Sequence, residues 1–473
     1  MDTVDIKTGG AILACVESFL LYPQGIIESY EDVIAFPAWN DARWWYQLVH
    51  ACRRWRYLIL SSPVRLGLHL ICTYGTPVAD MLANSPPLPL IINYLDANRD
   101  TSVEDEEAIL LALRDRDRVR RIGLTMSSTK LLNPIMAMDG QFPILERLFI
   151  WPLSQDNMSL MLPTRFQAPH LRIIALIHVV LPVRSPLLTT TIGLVELGLW
   201  DMPPLASFRP SELVARLSSM PQLKSLSIGF QPPVPTRDVE SQMLHTPIRT
   251  LFNFPNLCYC FFRCGSAYLE GLLSRINTPL LKVLNIWFYN QLTFPTPHLL
   301  QFMNRTKNIR FGFAKLSFGR ENVNLTEEDD GRNIIKLFDL IISCRHFDWQ
   351  VSAAAQISGA LMPALSVVER LSLDYGVHDL SSEEHNEVDR TLWREVLMPF
   401  SSVKVLHIDD RLIRNLLSAL QPEDGIPSLE LLPQLNEIIY LDRSSGDAFT
   451  SFIQSRQMAG RPVALTHSPN PPS

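Results

Sequence analysis

The chain has 473 residues, more than a single compact core usually holds, so several units or a repeat array are expected. Its composition is 47% hydrophobic and 19% charged, which excludes a disordered chain. The formal net charge of −6 argues against a nucleic-acid binder, because such proteins carry a basic excess or a basic face.

The cysteine content and the N-terminal residues both bear on the compartment. The seven cysteines are odd in number and irregularly spaced, which favours reduced thiols over a disulfide framework. The opening residues, MDTVDIKTGG, have no basic region, and the apolar run after them is short and contains Glu17. The sequence therefore predicts no secretory signal and no membrane span, but an intracellular protein of the cytoplasm or nucleus.

An amphipathic helix is predicted over residues 44–60. Its apolar face follows the spacing i, i+4, i+7 and i+11 and consists of Trp44, Leu48, Cys52 (or Ala51), Trp55 and Ile59. Three arginines at 53, 54 and 56 flank this face, and Ser-Ser-Pro at 61–63 ends the helix. Such a stretch fits a nucleic-acid contact, a cap on the following domain or a docking helix. The arginines spread around the helix, which disfavours the nucleic-acid contact.

Three charged segments interrupt the apolar pattern. The run RDRDRVRR at 114–121 predicts a helix end that leads into a strand, with its charges in water. The acidic run at 327–330 and the cluster SEEHNEVD at 382–389 are interpreted as solvated loops.

The spacing L-x-x-L-x-L, with Ile, Val or aromatic replacements, recurs through most of the chain. Clear copies begin at Val119, Leu145, Leu171, Leu194, Leu223, Leu257, Leu281, Val368, Val403 and Leu435, and a degraded copy begins near Ile309. In a strand, the fourth and sixth positions of each copy point to one face and enter a core. A proline often stands two residues before the first position, as at Pro143 and Pro279, where its missing N–H suits the start of a strand.

Helical patterns lie between these copies. Leu213, Val214 and Leu217 share one face in residues 212–220, and similar patterns occupy 268–276 and 411–420. Strands and helices that alternate at intervals of about 20–30 residues stack into a solenoid, with a parallel sheet inside and helices outside. Many ordered copies favour this α/β solenoid over chance alternation in a leucine-rich chain.

The repeats resemble the leucine-rich repeat family over residues 110–445. Regular members carry Asn or Cys eight residues after the first leucine, where the side chain bonds the turn backbone. Here that position holds Leu153, Val179, Met202, Gln231, Gly265 and Tyr289. The repeats are therefore irregular, of the kind found in substrate receptors of ubiquitin ligases.

The predicted helix at 44–60 resembles the second half of an F-box. Family members there carry an apolar residue, Cys, a basic residue, Trp, further basic residues and a Ser-Pro stop, and residues 49–66 have this order. The wider segment is similar to fungal F-box proteins that combine an F-box with irregular leucine-rich repeats, although residues 1–43 lack the Leu-Pro start of the family. The resemblance implies docking to a ligase adaptor through Leu48, Val49, Cys52, Trp55, Ile59 and Pro63.

Three regions are predicted along the chain. Residues 1–66 form an F-box-like all-α region with a degenerate first half, and residues 67–445 form the irregular leucine-rich-repeat solenoid. Residues 446–473 comprise a C-terminal helix and a disordered Pro/Ser-rich tail.

The odd-numbered strand positions face the concave side of such a solenoid, where repeat arrays usually bind partners. The candidate binding residues there are Arg147, Phe149, Trp151, Trp200, Tyr259, Phe261, Arg263 and Trp287. Trp and Arg are frequent binding hot spots. Tryptophans at the same position of three repeats either bind a partner or are covered by inserted loops or chain termini.

Motifs for catalysis are missing from the sequence. There is no GxxxxGK[ST] phosphate loop, no GxSxG elbow and no HExxH motif. Cys258, Cys260 and Cys264 lack the paired spacing that zinc requires, so they are interpreted as core thiols. We expect neither enzymatic activity nor a cofactor or metal.

The resemblance implies an adaptor that presents an unidentified protein substrate to a cullin–RING (SCF-type) ubiquitin ligase. It would bind the ligase through a Skp-type adaptor protein and the substrate through the concave face. The alternative is a repeat-only interaction scaffold that no longer docks to the ligase. Neither hypothesis includes a nucleic-acid or membrane partner.

Overall fold

The structure is a computed structural model, and it describes residues 52–54, 56–57, 68–153, 160–182, 184–203, 208–231, 251–289, 296–306, 309, 311–327, 337–376, 389–421, 431–440 and 448–468. In this part of the chain, 16 strands form one large sheet.

These strands are β1 (Leu70–Cys72), β2 (Leu90–Tyr94), β3 (Val119–Met126), β4 (Arg147–Pro152), β6 (Ile173–Ile177), β8 (Glu196–Met202), β9 (Ser225–Phe230), β11 (Tyr259–Cys264), β13 (Val283–Phe288), β14 (Phe313–Phe318), β15 (Asn322–Glu327), β16 (Phe338–Ser343), β17 (Arg370–Tyr375), β18 (Val405–Ile408), β19 (Glu437–Tyr440) and β20 (Ala464–His467). Within the sheet these strands lie in the order β1-β2-β3-β4-β6-β8-β9-β11-β13-β16-β15-β14-β17-β18-β19-β20. Two short parallel pairs lie apart from the sheet: β5 (Leu160–Met161) with β7 (Val179–Val180), and β10 (Phe252–Asn253) with β12 (Ile276–Asn277).

The helices are α1 (Val78–Asn84), α2 (Val103–Arg114), α3 (Ser128–Ala137), α4 (Leu187–Thr190), α5 (Pro210–Leu217), α6 (Ser266–Leu273), α7 (Pro297–Arg305), α8 (Phe347–Ala360), α9 (Met362–Leu365), α10 (Arg390–Leu397), α11 (Ile413–Leu420) and α12 (Thr450–Met458). A 3-10 turn (Asp410–Leu412) precedes α11. The three helices predicted between the repeats correspond to α5, α6 and α11, and the predicted helix end at Arg114 leads into β3.

Each clear copy of the repeat forms a strand of the large sheet. The fourth positions of successive copies are direct partners in parallel pairing, for example Leu148, Ile174, Leu197 and Leu226. These four side chains are at most 2% exposed and share one core with the apolar faces of the helices. Each such side chain stabilises the fold by roughly 1.5–3 kcal/mol. The predicted α/β architecture, a mostly parallel sheet with helices packed on one face, is therefore confirmed.

The prolines that precede the repeats have a different role from the predicted one. Pro143 occupies the second position of a β-turn, in which the N–H of Leu145 donates to the carbonyl of Phe142 over 3.4 Å. The same turn joins Leu281 to Thr278 across Pro279 over 3.2 Å. Proline suits this position because its fixed φ matches the turn, and the strand begins only afterwards.

An antiparallel hairpin interrupts the parallel order after β13. The degraded copy near Ile309 leads to β14, but β14 does not neighbour β13; β16 takes that place, with β15 antiparallel between β16 and β14. Only residues 319–321 join β14 to β15, and so short a turn permits only an antiparallel neighbour. Gln350 of α8 fixes the hairpin, since its Nε2 donates to the carbonyls of Gly319 and Cys344, each over 2.9 Å.

The sheet extends beyond the range of recognisable repeats at both ends. β1 and β2 precede the first copy, and their apolar side chains continue the same core. At the other end, the predicted C-terminal helix corresponds to α12, and β20 adds a further parallel strand beside β19. The Pro/Ser-rich residues 469–473 lie outside the described residues.

Candidate functional site

The sheet has two faces of different character. One face is covered by the helices. We call the other the open face; it carries the third, fifth and seventh positions of the repeats. A second apolar cluster lies on the open face and comprises Phe149, Ala175, Ile177 and Trp200. Leu95, Trp151 and Phe261 pack against it, and we call these seven residues the aromatic cluster.

Trp200 occupies the middle of the aromatic cluster. Its ring centre lies 4.7 Å from that of Phe261, and Trp200 is the direct partner of Ile177 in the parallel pairing of β8 with β6. The indole lies across Gly198, where an added Cβ would come within 2.7 Å of Nε1. Gly198 is therefore needed for the indole to lie against the sheet, and Trp200 is only 3% exposed.

Arg263 is fixed by two neighbours on the open face. Its Nη1 donates to Oδ1 of Asp201 over 2.9 Å, and its guanidinium carbon lies 4.6 Å from the ring centre of Trp287. Trp287 is fixed in turn, because its Nε1 donates to Oγ of Ser343 over 2.6 Å. Arg263 and Trp287 are both half-buried, so an ordered cation and an ordered indole reach the surface together.

Two residues close to Arg263 have left-handed backbone conformations. Asp201 has φ of 50° at a register irregularity between β8 and β9, and His178 has φ of 53° just after β6. His178 Nε2 lies 3.8 Å from Asp201 Oδ2, and its Nδ1 is 3.3 Å from Gln231 Nε2. Asp and His tolerate this conformation better than most residues, and such strain is concentrated at functional sites. From this position the Asp201 carboxylate accepts the hydrogen bond from Arg263.

Phe149, Trp200 and Tyr259, three of the predicted binding residues, are buried at 3% exposure each. They support the open face instead of presenting side chains to a partner. Arg147, Trp151, Phe261, Arg263 and Trp287 are half-buried and form its accessible part.

Several residues of this site are not among those predicted from the sequence. Asp201, His178 and Gln231 come after the last regular position of their repeats, so apolar alternation gives no signal for them. Arg121 was assigned to a solvated run, yet it is half-buried on the open face opposite Arg147. Its place at the third position of the first copy is the signal that identifies it.

The candidate docking residues at the N-terminus fall mostly outside the described residues, namely Leu48, Val49, Trp55, Ile59 and Pro63. Cys52 is described and is exposed. Its carbonyl accepts a hydrogen bond from the N–H of Arg56 over 3.0 Å, and residues 53–54 and 56–57 are helical, as predicted.

The two cysteines on β11 contribute to packing, whereas Cys258 precedes the strand and is only half-buried, so the expectation of a core thiol is wrong for Cys258. Cys260 and Cys264 are buried in the main core, and burial raises the pKa of both thiols. In the described ranges, no group of three His, Cys, Asp or Glu side chains is arranged to hold a metal ion. None of the helices described is long and apolar enough to cross a membrane.

Two solved structures align with most of the chain at low sequence identity. No protein-family model and no curated protein matches the chain. The protein LegL7 from Legionella pneumophila is 11% identical, with 84% of this chain and 99% of the other covered and a TM-score of 0.24. The protein LIC12759 of Leptospira interrogans is also 11% identical, with 83% and 99% covered and a TM-score of 0.26. Both are leucine-rich-repeat proteins. The assignment of this fold rests on the repeats and strand register of the chain itself.

Proposed function

We propose that the chain is a non-catalytic protein-interaction scaffold that binds a protein partner on its open face. The observation that carries this proposal is the position of Arg263, held between Asp201 at 2.9 Å and the Trp287 ring at 4.6 Å. Trp151 and Phe261 continue the accessible surface from there along the aromatic cluster.

The composition and order of this surface support protein binding. Binding hot spots are rich in Trp, Tyr and Arg, and they lie where apolar contacts exclude water. An ordered side chain also loses little conformational entropy on binding, so prior fixation of Arg263 and Trp287 lowers the free-energy cost of association. A surface of half-buried aromatic rings beside a paired arginine has both properties.

Affinity capture with the full chain tests the proposal. Wild type should capture a partner, and Trp287→Ala should bind this partner at least about tenfold more weakly. Truncation of a hot-spot tryptophan costs more than about 1.4 kcal/mol of binding free energy. Trp349→Ala is the matched control, because Trp349 lies on α8 behind the sheet and is 46% exposed. Equal loss in both variants, or in neither, would contradict binding at the open face.

We further propose that the partner is a substrate presented to a cullin–RING ubiquitin ligase. The support is the resemblance of residues 44–66 to the second half of an F-box, together with the exposed, helical residues 53–54 and 56–57. Docking would place the Skp-type adaptor on the N-terminal helix and the substrate on the open face.

A pull-down of the full chain with a Skp-type adaptor tests this finer role. Binding by wild type and its loss in Trp55→Ala would support the adaptor hypothesis. A chain that captures a partner through Trp287 but does not bind the Skp-type adaptor has the scaffold function alone, without the ligase role.

A further inference from the structure

Two arginines lie on neighbouring strands of the open face, next to the aromatic cluster. Arg121 of β3 and Arg147 of β4 are direct partners in the parallel pairing, and both are half-buried. Their strand neighbours Ile122 and Leu148 point into the core, so the two guanidinium side chains lie on the open face. Phe149 of the aromatic cluster is two residues from Arg147.

Neither guanidinium has a counter-charge in contact. Among the described residues, neither makes a side-chain hydrogen bond or an ion pair, and Nε of Arg121 is sealed from solvent without a hydrogen-bond partner. The adjacent Arg120 differs, since its Nε lies 2.9 Å from Oε1 of Glu146. The Arg121–Arg147 pair therefore has no counter-charge in contact, whereas the neighbouring Arg120 forms an ion pair.

This arrangement opposes folding. Like charges directly opposite on neighbouring strands repel, and partly buried charges without partners are costly. Burial, followed by the positive charge of Arg147, lowers the pKa of Arg121 to about 10, so the guanidinium remains charged near neutral pH. Packing within the sheet gives no reason for the pair, whereas a bound anion would satisfy both residues.

The local charge indicates which kind of anion fits. Glu196 lies on the same row of the open face, two strands from Arg147, with Ile173 between them. Glu196 is half-buried and interacts electrostatically with Arg147. Glu196 offsets only part of the positive charge of the two arginines, and the excess that remains complements the carboxylate of an Asp or Glu side chain.

We propose that Arg121 and Arg147 together bind a carboxylate side chain, Asp or Glu, of the protein partner. The inference rests on the proposed function of the open face and names one chemical feature of the segment recognised there. Two guanidiniums side by side donate several parallel N–H groups, the geometry that a carboxylate accepts best. Apolar residues beside that carboxylate would pack on the aromatic cluster.

Selection of peptides on the full chain tests this directly. Random peptides displayed on phage and selected on wild type should be enriched in Asp or Glu next to aromatic or aliphatic residues. A selected peptide should bind Arg121→Gln and Arg147→Gln at least about tenfold more weakly, as expected when a charge-assisted hydrogen bond is lost. Arg120→Gln, which removes an already paired charge, should change the affinity less than about twofold.

Thermal stability supplies a second readout that a merely structural role would not produce. Without peptide, Arg121→Gln should melt at the wild-type temperature or above it, because it removes repulsion. Arg120→Gln should not gain stability, because it loses an ion pair. A clear fall in the melting temperature of Arg121→Gln would contradict the inference.

Three further outcomes would overturn it: no acidic enrichment in the selected peptides, wild-type affinity in Arg121→Gln, or tighter binding when phosphoserine replaces the selected Glu. A peptide that depends on Trp287 but not on Arg121 or Arg147 contradicts this inference alone and leaves the proposed scaffold function standing. If binding of the selected peptide does not depend on Trp287, the result instead contradicts the proposed scaffold function of the open face.

Discussion

The guanidinium carbon of Arg263 lies 4.6 Å from the centre of the Trp287 ring, and the two residues are direct partners in the pairing of β11 with β13. Asp201 holds the guanidinium from the other side at 2.9 Å. Because each partner limits the rotamers of the next, the open face presents a cation and an aromatic ring in one fixed arrangement.

Replacement of Arg263 by lysine separates charge from geometry. Arg263→Lys keeps the positive charge but loses the planar group that stacks on Trp287 and bonds Asp201. We expect affinity for the captured partner to fall about fivefold to tenfold while the free energy of unfolding changes by less than about 1 kcal/mol. Titration calorimetry and urea denaturation measure the two quantities. Unchanged affinity would mean that stacking on Trp287 has no part in recognition.

The Asp201 carboxylate should contribute to stability through Arg263. Asp201→Asn keeps a residue that tolerates the φ of 50° but removes the charge opposite a guanidinium that is 27% exposed. We expect a loss of about 1–2 kcal/mol in the free energy of unfolding, between the values for exposed and buried pairs. Asp374→Asn is the control, because its pair with Lys315 is longer, at 3.5 Å, and the Asp374 carboxylate is more exposed, at 39% against 14% for Asp201. A larger loss in the control would argue against a special role of Asp201.

Glu270 joins two neighbouring repeats from inside the helical layer. Its carboxylate is 1% exposed and accepts hydrogen bonds from the N–H of His298 over 2.6 Å and of Leu299 over 2.9 Å, at the start of α7. Glu270→Ala leaves both donors without this acceptor and should lower the free energy of unfolding by about 2–4 kcal/mol. Glu212→Ala, at an exposed site in the first turn of α5, should cost less than about 0.5 kcal/mol. Equal effects in urea denaturation would contradict this role.

His407 should make stability depend on pH. Burial lowers the pKa of His407, with Glu437 opposing and Arg370 adding to the shift. In the unfolded chain the imidazole takes up its proton near pH 6.5, whereas the folded state resists protonation to lower pH. Below about pH 6.5 the unfolded state therefore binds more protons, and wild type should lose stability relative to His407→Gln. The free energy of unfolding is measured for both proteins across pH 5–7. A difference between them that does not change with pH would contradict the prediction.

The strands were predictable where the repeat is regular, because burial of two leucine-type side chains per strand imposes the L-x-x-L-x-L spacing. β1 and β2 lack that spacing, and short apolar runs alone do not distinguish strands from buried helix segments. The antiparallel hairpin did have a local signal, the alternation around Gly319 in LSFGRENVNL. Its insertion beside β13 depends on tertiary packing and is not encoded in a local pattern.

The open face was predictable in outline only. Alternation correctly assigned Trp151, Arg263 and Trp287 to the face away from the helices. The burial of Trp200 depends on the space above Gly198, and the position of Asp201 depends on a backbone irregularity. Neither follows from side-chain periodicity, which makes the three tryptophans equivalent.

Site-specific photocrosslinking tests binding at the open face most directly. A photoreactive benzoylphenylalanine at position 261, next to Trp200 and Arg263, should crosslink the captured partner in the full chain. The same group at position 349, on α8 behind the sheet, should not. Crosslinks from position 349 and none from position 261 would contradict the claim that the open face is the binding surface.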